Sequence, residues 1–307
     1  MCRGAAYVEK LSRYQPLVDD YALFLEASRQ PLPRVIWANP IKRSIDEIET
    51  DVLRLCPEAR RLTWTDNGWR LPASAQPGSW LLHLVGEIYV QEEVSILAAD
   101  LVGAKPGERV LDMCAAPGGK TVRIAVAMND RGRLLANEKK HGRLGGLRWN
   151  LNRLGITCAT VNHDDGLRLS HPSKPFDRIL VDAPCTCEGT SRKAHSRSQS
   201  ISEGERNTVT QVQVGLLRKA LDMVKPGGLV IYSTCTYAPE ENEGVLDRIS
   251  TERARIEPID VPAPLKTASG ITQWKSHRYR PDVSSAIRLW PHHNDTGGFF
   301  IAKLRRI

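Results

Sequence analysis

From residue 106 onward, short apolar runs alternate with helical patterns, and this alternation constrains the fold more than any other feature of the chain. "ERVLDM" (108–113) reads as a buried strand and "KTVRIAVAM" behind it as a helix. "GRLLANE" (132–138) is a second strand, followed by the helical "KKHGRLGGLRWNLNRLG". "CATVNHD" (158–164) and "DRILVDA" (177–183) are the third and fourth strands. In "VQVGLLRKALDMV", Val212, Leu216, Leu217, Ala220, Leu221 and Val224 share one helical face. Pro226-Gly227-Gly228 then turns the chain into "LVIYST" (229–234), the fifth strand. Strands that alternate with helices pair in parallel, so the expected fold is α/β with a doubly wound sheet. "SAIRLW" and "GFFIAKL", separated by "PHHNDTG", predict an antiparallel hairpin closing one edge. Residues 1–97 mix helix-like "PLVDDYALFLEAS" with Pro-rich turns and short strands. They read as a small N-terminal α+β domain ahead of a larger domain at 98–307.

Composition narrows the setting. No apolar run approaches the roughly 18 residues needed to span a bilayer. "MCRGAAYVEKLSRY" has no signal-peptide core, so a cytoplasmic location is expected. Seven cysteines at irregular spacing argue against a disulfide framework and for reduced thiols. The formal charge of +8 is uneven: residues 1–97 hold 11 Lys and Arg against 13 Asp and Glu, which leaves +10 on the remainder. An acidic partner such as nucleic acid would be drawn to the larger part, although a basic surface with no specific ligand fits charge alone equally well.

Two stretches carry candidate chemistry. "LDMCAAPGGKT" (111–121) joins the first strand to its helix, where paired glycines let backbone approach a ligand and the helix N-terminus favours a negative group. It is not a P-loop, which needs glycine where Cys114 stands, nor a G-x-G-x-x-G loop. With an acid, Glu138, ending strand two, the loop still defines a nucleoside site in a doubly wound sheet. "VDAPCTCEGT" (181–190) and "YSTCTYAPEENEG" (232–244) place Cys185, Cys187 and Cys235 after strands four and five. Such thiols are inert packing, metal ligands or catalysts. Cys185 and Cys187 are spaced too tightly for the usual C-x-x-C zinc site, and His292 and His293 are adjacent, so no metal is expected. Cys2, Cys56 and Cys158 have no motif around them and read as packing or surface thiols.

"LDMCAAPGGKT", "DAPCTCEGTSRK" and "YSTCTYAPEENEG", in this order, resemble the Nop/Sun (Fmu) family of RNA cytosine carbon-5 methyltransferases. "NPIKRSIDEI", "GEIYVQEEVSILAADL" and "RLWPHHNDTGGFFIAKL" extend the resemblance from about residue 32 onward. It implies a Rossmann-like class I methyltransferase fold, S-adenosyl-L-methionine as cofactor, and RNA as partner, ribosomal RNA ahead of transfer RNA. By position, Cys114, Ala115, Ala116, Pro117, Gly118, Gly119 and Lys120 surround the methionine part of the cofactor. Glu138 takes the ribose, Arg143 matches a further cofactor position, and Asp165, or its neighbour Asp164, lies beside the adenine. Asp182 sits where cofactor and base meet.

Carbon 5 of cytosine is a poor nucleophile until a thiolate adds to carbon 6, and that requires a thiolate at bonding distance from a fixed base. The resemblance assigns the attack to Cys235, release of methylated product to Cys185, and the hold on the base to Asp182. Cys187 stands where the family has a small residue and reads as incidental. Arg192, Lys193, Arg197, Lys275, Arg278 and Arg280 are candidate phosphate contacts, and "QWKSHRYRP" interleaves aromatics with base. The polar segment 188–206 reads as a mobile loop that orders on a polyanion. The sequence closes at its last hairpin, so no C-terminal RNA-binding extension is expected, and the chain is expected to act as a monomer. A methyltransferase-like assembly factor without catalysis is the rival class. Intact Asp182, Cys185 and Cys235 speak against it.

Overall fold

The computed structural model describes residues 11–193 and 202–307. In the N-terminal part, β1 (Arg34–Ala38), β2 (Arg60–Arg61), β3 (Gly68–Leu71) and β4 (Ile88–Val90) form an antiparallel sheet in the order β2-β3-β1-β4. The alternation beyond residue 106 becomes β5 (Arg109–Asp112), β6 (Arg133–Asn137), β7 (Ala159–Asn162), β8 (Phe176–Asp182) and β9 (Val224–Thr234). These five strands pair in parallel. β10 (Ala254–Glu257), β11 (Ala268–Ser269) and the separate hairpin β12 (Gln273–Trp274) and β13 (His277–Arg278) follow. β14 (Ile287–Leu289) and β15 (Phe299–Arg306) make the expected antiparallel hairpin, and β15 also runs antiparallel to β9. The nine-stranded sheet reads β11-β14-β15-β9-β8-β5-β6-β7, with β10 also against β15.

Both faces of this sheet are covered, which explains why its strands are nearly continuous in apolar residues. Successive side chains point to opposite faces. Val110, Leu180, Leu229, Ile231 and Ile301 enter one core with Ile124, Leu147 and Leu151 of the helices Gly119–Ala127 and His141–Leu154. Leu111, Ile179, Val181, Val230, Tyr232 and Phe300 enter the other with Leu216, Leu217, Ala220 and Leu221 of the helix Glu203–Met223. That long helix begins with a capping box in which Ser202 and Glu205 satisfy each other's backbone donors.

One expectation changes. Pro226-Gly227-Gly228 does not precede the fifth strand; it lies inside β9, as an irregularity where Phe176 pairs with Val224 but Arg178 pairs with Leu229. Gly227 takes φ +71°, which makes this excursion possible without a Cβ clash. The division at 97/98 falls within the helix Glu93–Asp100. Val35, Trp37, Leu62 and Tyr89 of the N-terminal part join the same core as Val94 and Val122. Arg123 ties the two parts again, bonding Asp100, Asn67 and Thr65. Among the described residues no helix is long and apolar enough to cross a membrane.

Candidate active site

The chain winds from β5 outward through β6 and β7, then returns to β8 and β9 on the other side of β5. The strand order therefore switches between β5 and β8, and a doubly wound sheet binds ligands at the carboxyl ends beside such a switch. Asp112 and Asp182 end these two strands. Asn137 ends β6 with Glu138 directly after it, and Thr234 ends β9 directly before Cys235.

The loop after β5 is shaped by its own chemistry. Gly118 takes φ +108°, and a Cβ there would stand 3.0 Å from Leu147 Cδ1, so the chain enters the helix Gly119–Ala127 only with glycine at that point. The Ala116–Pro117 peptide is cis. Arg143 donates to the carbonyl of Ala116 and, at 3.1 Å, to Glu138 Oε2, while the Lys140 N–H donates to Glu138 Oε1 at 2.8 Å. One arginine thus joins the loop to the buried acid that follows β6. Asp112 is fully buried and accepts from Thr121 Oγ1 at 2.7 Å, while its Oδ1 has no partner. Burial pushes its carboxyl up to about 7, against the opposing Thr121 hydrogen bond. Burial likewise pushes the Cys114 thiol well up. Asp165 accepts from Lys139 Nζ at 2.7 Å, which holds its carboxyl below the usual range; the exposed Asp164 caps the Asp165 N–H at 2.7 Å.

Asp182 is held from both sides. Lys120 Nζ lies 2.7 Å from Oδ2, and Ser233 Oγ donates to Oδ1 at 2.8 Å. The Lys120 ammonium also sits over the Phe299 ring, 5.4 Å from its centre. Lys120 therefore orients the acid at the switch point as well as belonging to the loop.

Behind Asp182 the three half-buried cysteines converge. Cys185 Sγ lies 3.2 Å from Cys235 Sγ and 3.9 Å from Cys187 Sγ. Cys187, read as incidental, is part of the cluster; it takes φ +58° and turns its thiol back toward the Cys185 carbonyl at 3.3 Å. Hydrogen bonding to Cys187 and Cys235, together with burial, raises the Cys185 thiol. For Cys235 the contact with Cys185 favours the thiolate, but Cys187, burial and the negative charge of Asp182 outweigh it and leave the thiol raised.

The sequence does not single out the groups that hold this cluster. Glu241 is fully buried and accepts from the Thr186 N–H (3.0 Å), Thr186 Oγ1 (2.7 Å), Gln213 Nε2 (3.0 Å) and Arg206 (3.1 Å). Glu188 accepts from Arg206 at 3.1 Å, from Thr236 Oγ1 at 3.0 Å and from the Tyr14 hydroxyl. Glu243 takes Arg288, and Glu240 takes Arg13. The run "PEENEG" offered a signal: acids at the end of a buried strand need cations, and these come from distant arginines. Gly189 and Gly298 meet backbone to backbone, Gly298 N–H donating to the Gly189 carbonyl at 2.9 Å, so the closing hairpin braces the cysteine loop.

The phosphate candidates divide. Arg192 is buried and spends its guanidinium on the carbonyls of Gln30, Pro31 and Thr296 and on Asp295. It is an internal tie and does not face RNA, because 188–193 packs inward; of the loop expected over 188–206, residues 194–201 lie outside the described residues and the helix begins at Glu203. Arg197 lies outside the described residues, as does Cys2. Lys193 pairs with Glu92, whose other oxygen accepts from the Gly297 N–H at 2.9 Å. Burial lowers the Lys193 ammonium, but Glu92, Cys235 and Asp182 together hold it above its ordinary value. Arg280 bonds Asp282 and the Ile249 carbonyl, and Trp274 and Tyr279 are buried, so the aromatics of "QWKSHRYRP" serve the core. Lys275 and Arg278 remain exposed. Cys56 is buried, and Cys158, half-buried beside Asp130, is pushed up to about 12 by burial.

A parallel sheet with an acid-lined carboxyl edge at its switch point, extended by the antiparallel β15, is a class I methyltransferase fold. The description of 16S rRNA methyltransferases RsmB/F matches residues 98–305, and the chain belongs to this Nop/Sun family of RNA cytosine carbon-5 methyltransferases. It is 33% identical to the ribosomal RNA small subunit methyltransferase F of Erwinia tasmaniensis over 98% of this chain and 63% of that one. It is 34% identical to the tRNA (cytosine(49)-C(5))-methyltransferase of Pyrococcus abyssi over 96% of this chain and 95% of that one. The crystal structure of a methyltransferase homolog protein from Pyrococcus horikoshii superposes with a TM-score of 0.81 at 31% identity, covering 99% of this chain and all of that one.

Proposed function

We propose that this chain transfers a methyl group from S-adenosyl-L-methionine to carbon 5 of a cytosine in RNA, and that the RNA is ribosomal. The observation that carries the reading is the pair of thiols, Cys185 and Cys235, 3.2 Å apart beside an Asp182 held by Lys120 and Ser233. The donor set suits the cofactor: Asp112, with one buried oxygen unpartnered, Asp182 and Glu138 surround the carboxyl edge, and carboxylates favour a ligand bearing sulfonium and ammonium charges. Glu138 uses one lone pair on each oxygen and retains capacity for the ribose hydroxyls, while Asp165 is the acid for the adenine side. When bound, the cofactor supplies an electrophilic methyl group.

The remaining chemistry belongs to the side chains. Cys235 Sγ, once deprotonated, adds to carbon 6, and the ring electrons this displaces make carbon 5 nucleophilic. Asp182, carrying the proton that Cys235 gives up, donates it to ring nitrogen 3 and accepts from the cytosine amino group, which neutralises the negative charge that builds on the ring as the thiolate adds. After methyl transfer, a base removes the carbon-5 proton and the Cys235–carbon bond breaks, returning the thiolate. Cys185, within contact of Cys235, assists that release. The target base must leave its stack to reach this edge.

Ribosomal RNA is favoured by the matched family description and by the Erwinia relative, of which this chain spans 63%. Transfer RNA is the second reading, supported by the Pyrococcus abyssi enzyme, matched over nearly its whole length. Bisulfite mapping of RNA from cells lacking the protein separates the two. The chemical roles are tested by exchange: Cys185→Ala accumulates an RNA adduct that survives denaturant, and Cys235→Ala abolishes both adduct and product. The reverse pattern would overturn the assignment.

A further inference from the structure

The fold supplies a third group to the two adjacent histidines of "PHHND". Asp19, 273 residues away in sequence, accepts from His292 Nε2 at 2.8 Å on Oδ1. His293 Nε2 lies 2.9 Å from Oδ2 and 3.1 Å from Oδ1. The three ligand atoms all fall within 4.8 Å of one another. Adjacency in sequence argued against a shared ion, but within the helix Pro291–Asn294 the rings are tilted against each other with centres 4.3 Å apart, and both bring Nε2 to the same carboxylate. Their Nδ1 atoms are buried, so Nε2 is the nitrogen each ring offers. The ring of His292 is itself fixed, nearly perpendicular to Phe24 at 6.0 Å.

We propose that Asp19, His292 and His293 form a zinc-class metal site that clamps the N-terminal segment onto the closing part of the catalytic domain. Two imidazoles and a carboxylate are the donors that zinc takes, at about 2.0–2.2 Å from the ion. A tetrahedron of that size separates its ligands by about 3.3 Å, so the contacts of Asp19 with the two imidazoles, at 2.8–3.1 Å, open by only a few tenths of an ångström on binding. The Asp19 side chain is 66% exposed, whereas those of His292 and His293 are 4% and 15% exposed. The histidines are thus held by the fold, and the solvent side of the ion is left for water. The location gives the site a consequence. Phe24 packs on Tyr237 and Trp290, and Tyr237 is two residues beyond Cys235. An ion here binds the folded chain and not the unfolded one, and so stabilises that contact by mass action.

The test titrates the metal-stripped full chain with Zn²⁺ while bound metal and Tm are measured, and with Co²⁺ while the visible and near-ultraviolet spectrum is recorded. Expected are one equivalent of zinc, a rise in Tm, and a cobalt spectrum without a sulfur-to-metal band. Asp19→Asn, a change at an exposed carboxylate, weakens zinc binding by about tenfold or more and removes the rise in Tm. His293→Gln does the same. The proposal is overturned if Asp19→Asn binds zinc as tightly as the parent. It is equally overturned if the only bound metal shows a sulfur band, which assigns it to Cys185, Cys187 and Cys235. Absence of bound zinc with an unchanged Tm would leave only a hydrogen-bonded ion pair and also overturn it.

Discussion

Cys185 Sγ and Cys235 Sγ touch at 3.2 Å, and both thiols are held above their ordinary range. The thiolate is the attacking form, so a raised thiol sets a pH dependence with a definite sign. Below its pKa the thiolate fraction of Cys235 grows about tenfold per pH unit, and kcat/KM for methyl transfer should rise with pH through neutrality with a slope near one. Single-turnover rates across that range check this. A flat profile would mean that the thiol ionises before the steps that limit kcat/KM.

Lys193 supplies a second cation to this chemistry beside Lys120, since its charge is felt by Cys235 and Asp182 while Glu92 holds it in place. Lys193→Met removes a charge that favours the Cys235 thiolate, so the pH profile should shift to the alkaline side and the rate at neutral pH should fall by roughly tenfold. A plain phosphate contact would behave differently. Its loss would raise KM and flatten the salt dependence of RNA binding while leaving the pH profile in place.

Glu241 anchors the cysteine loop through four hydrogen bonds, two of them from Thr186, which lies between Cys185 and Cys187. Glu241→Ala leaves Arg206 partly unpaired in a buried setting, and breaking such a pair costs about 3–5 kcal/mol. Denaturant unfolding should show that loss. Glu241→Gln keeps the shape and most acceptors, so it should recover part of the stability while methyl transfer stays impaired, because the loop is no longer held by a charge.

The parallel core was legible because the central strands β5, β8 and β9 bury residues on both faces and the helices show their own period, so local pattern and tertiary environment agree. Asp182, Cys185 and Cys235 were legible as strand-end residues in recognisable motifs. The supports were not. Glu188, Glu241 and Glu243 lie in polar runs that normally face water, and only the arrival of Arg206 and Arg288 shows them to be buried. Arg192 failed in the opposite sense: a basic residue in a basic segment looked like a phosphate contact, yet its guanidinium finds three carbonyls and Asp295. Charge in a sequence carries no label of its partner, and those of Arg192 lie more than a hundred residues away. Pro226-Gly227-Gly228 misled for a simpler reason, since turn residues also build bulges within strands.

Asp112 should leave a mark on stability as a function of pH. Burial lifts its carboxyl from 3.8 to about 7, so between those values the folded chain binds a proton that the unfolded chain has lost. The resulting stabilisation is complete below the unfolded value and disappears as pH rises through the folded one. Asp112→Asn cannot titrate, and its stability should change less between about pH 4 and pH 7 than that of the parent. Urea midpoints at both ends of the window measure the difference. Equal slopes would show that the carboxyl is ionised in the fold throughout.

The N-terminal segment reaches the active site through Tyr14. Its ring packs edge-on to Tyr237 at 5.5 Å, and its hydroxyl donates to Glu188, which also accepts from Thr236 beside Cys235. Phe24, fully buried against Tyr237 and Trp290, anchors the same segment. The two residues should separate stability from activity. Phe24→Ala opens a cavity between the segment and the catalytic domain and should cost about 3–5 kcal/mol. Tyr14→Phe keeps the ring and loses one hydrogen bond, a change of about 1 kcal/mol in stability. Because that bond ends on the acid bracing Thr236, Tyr14→Phe should lower kcat more than its small stability loss suggests, with KM for RNA little changed. Steady-state kinetics beside thermal unfolding decide the matter. A Tyr14→Phe protein with parental kcat would confine the segment to a structural role.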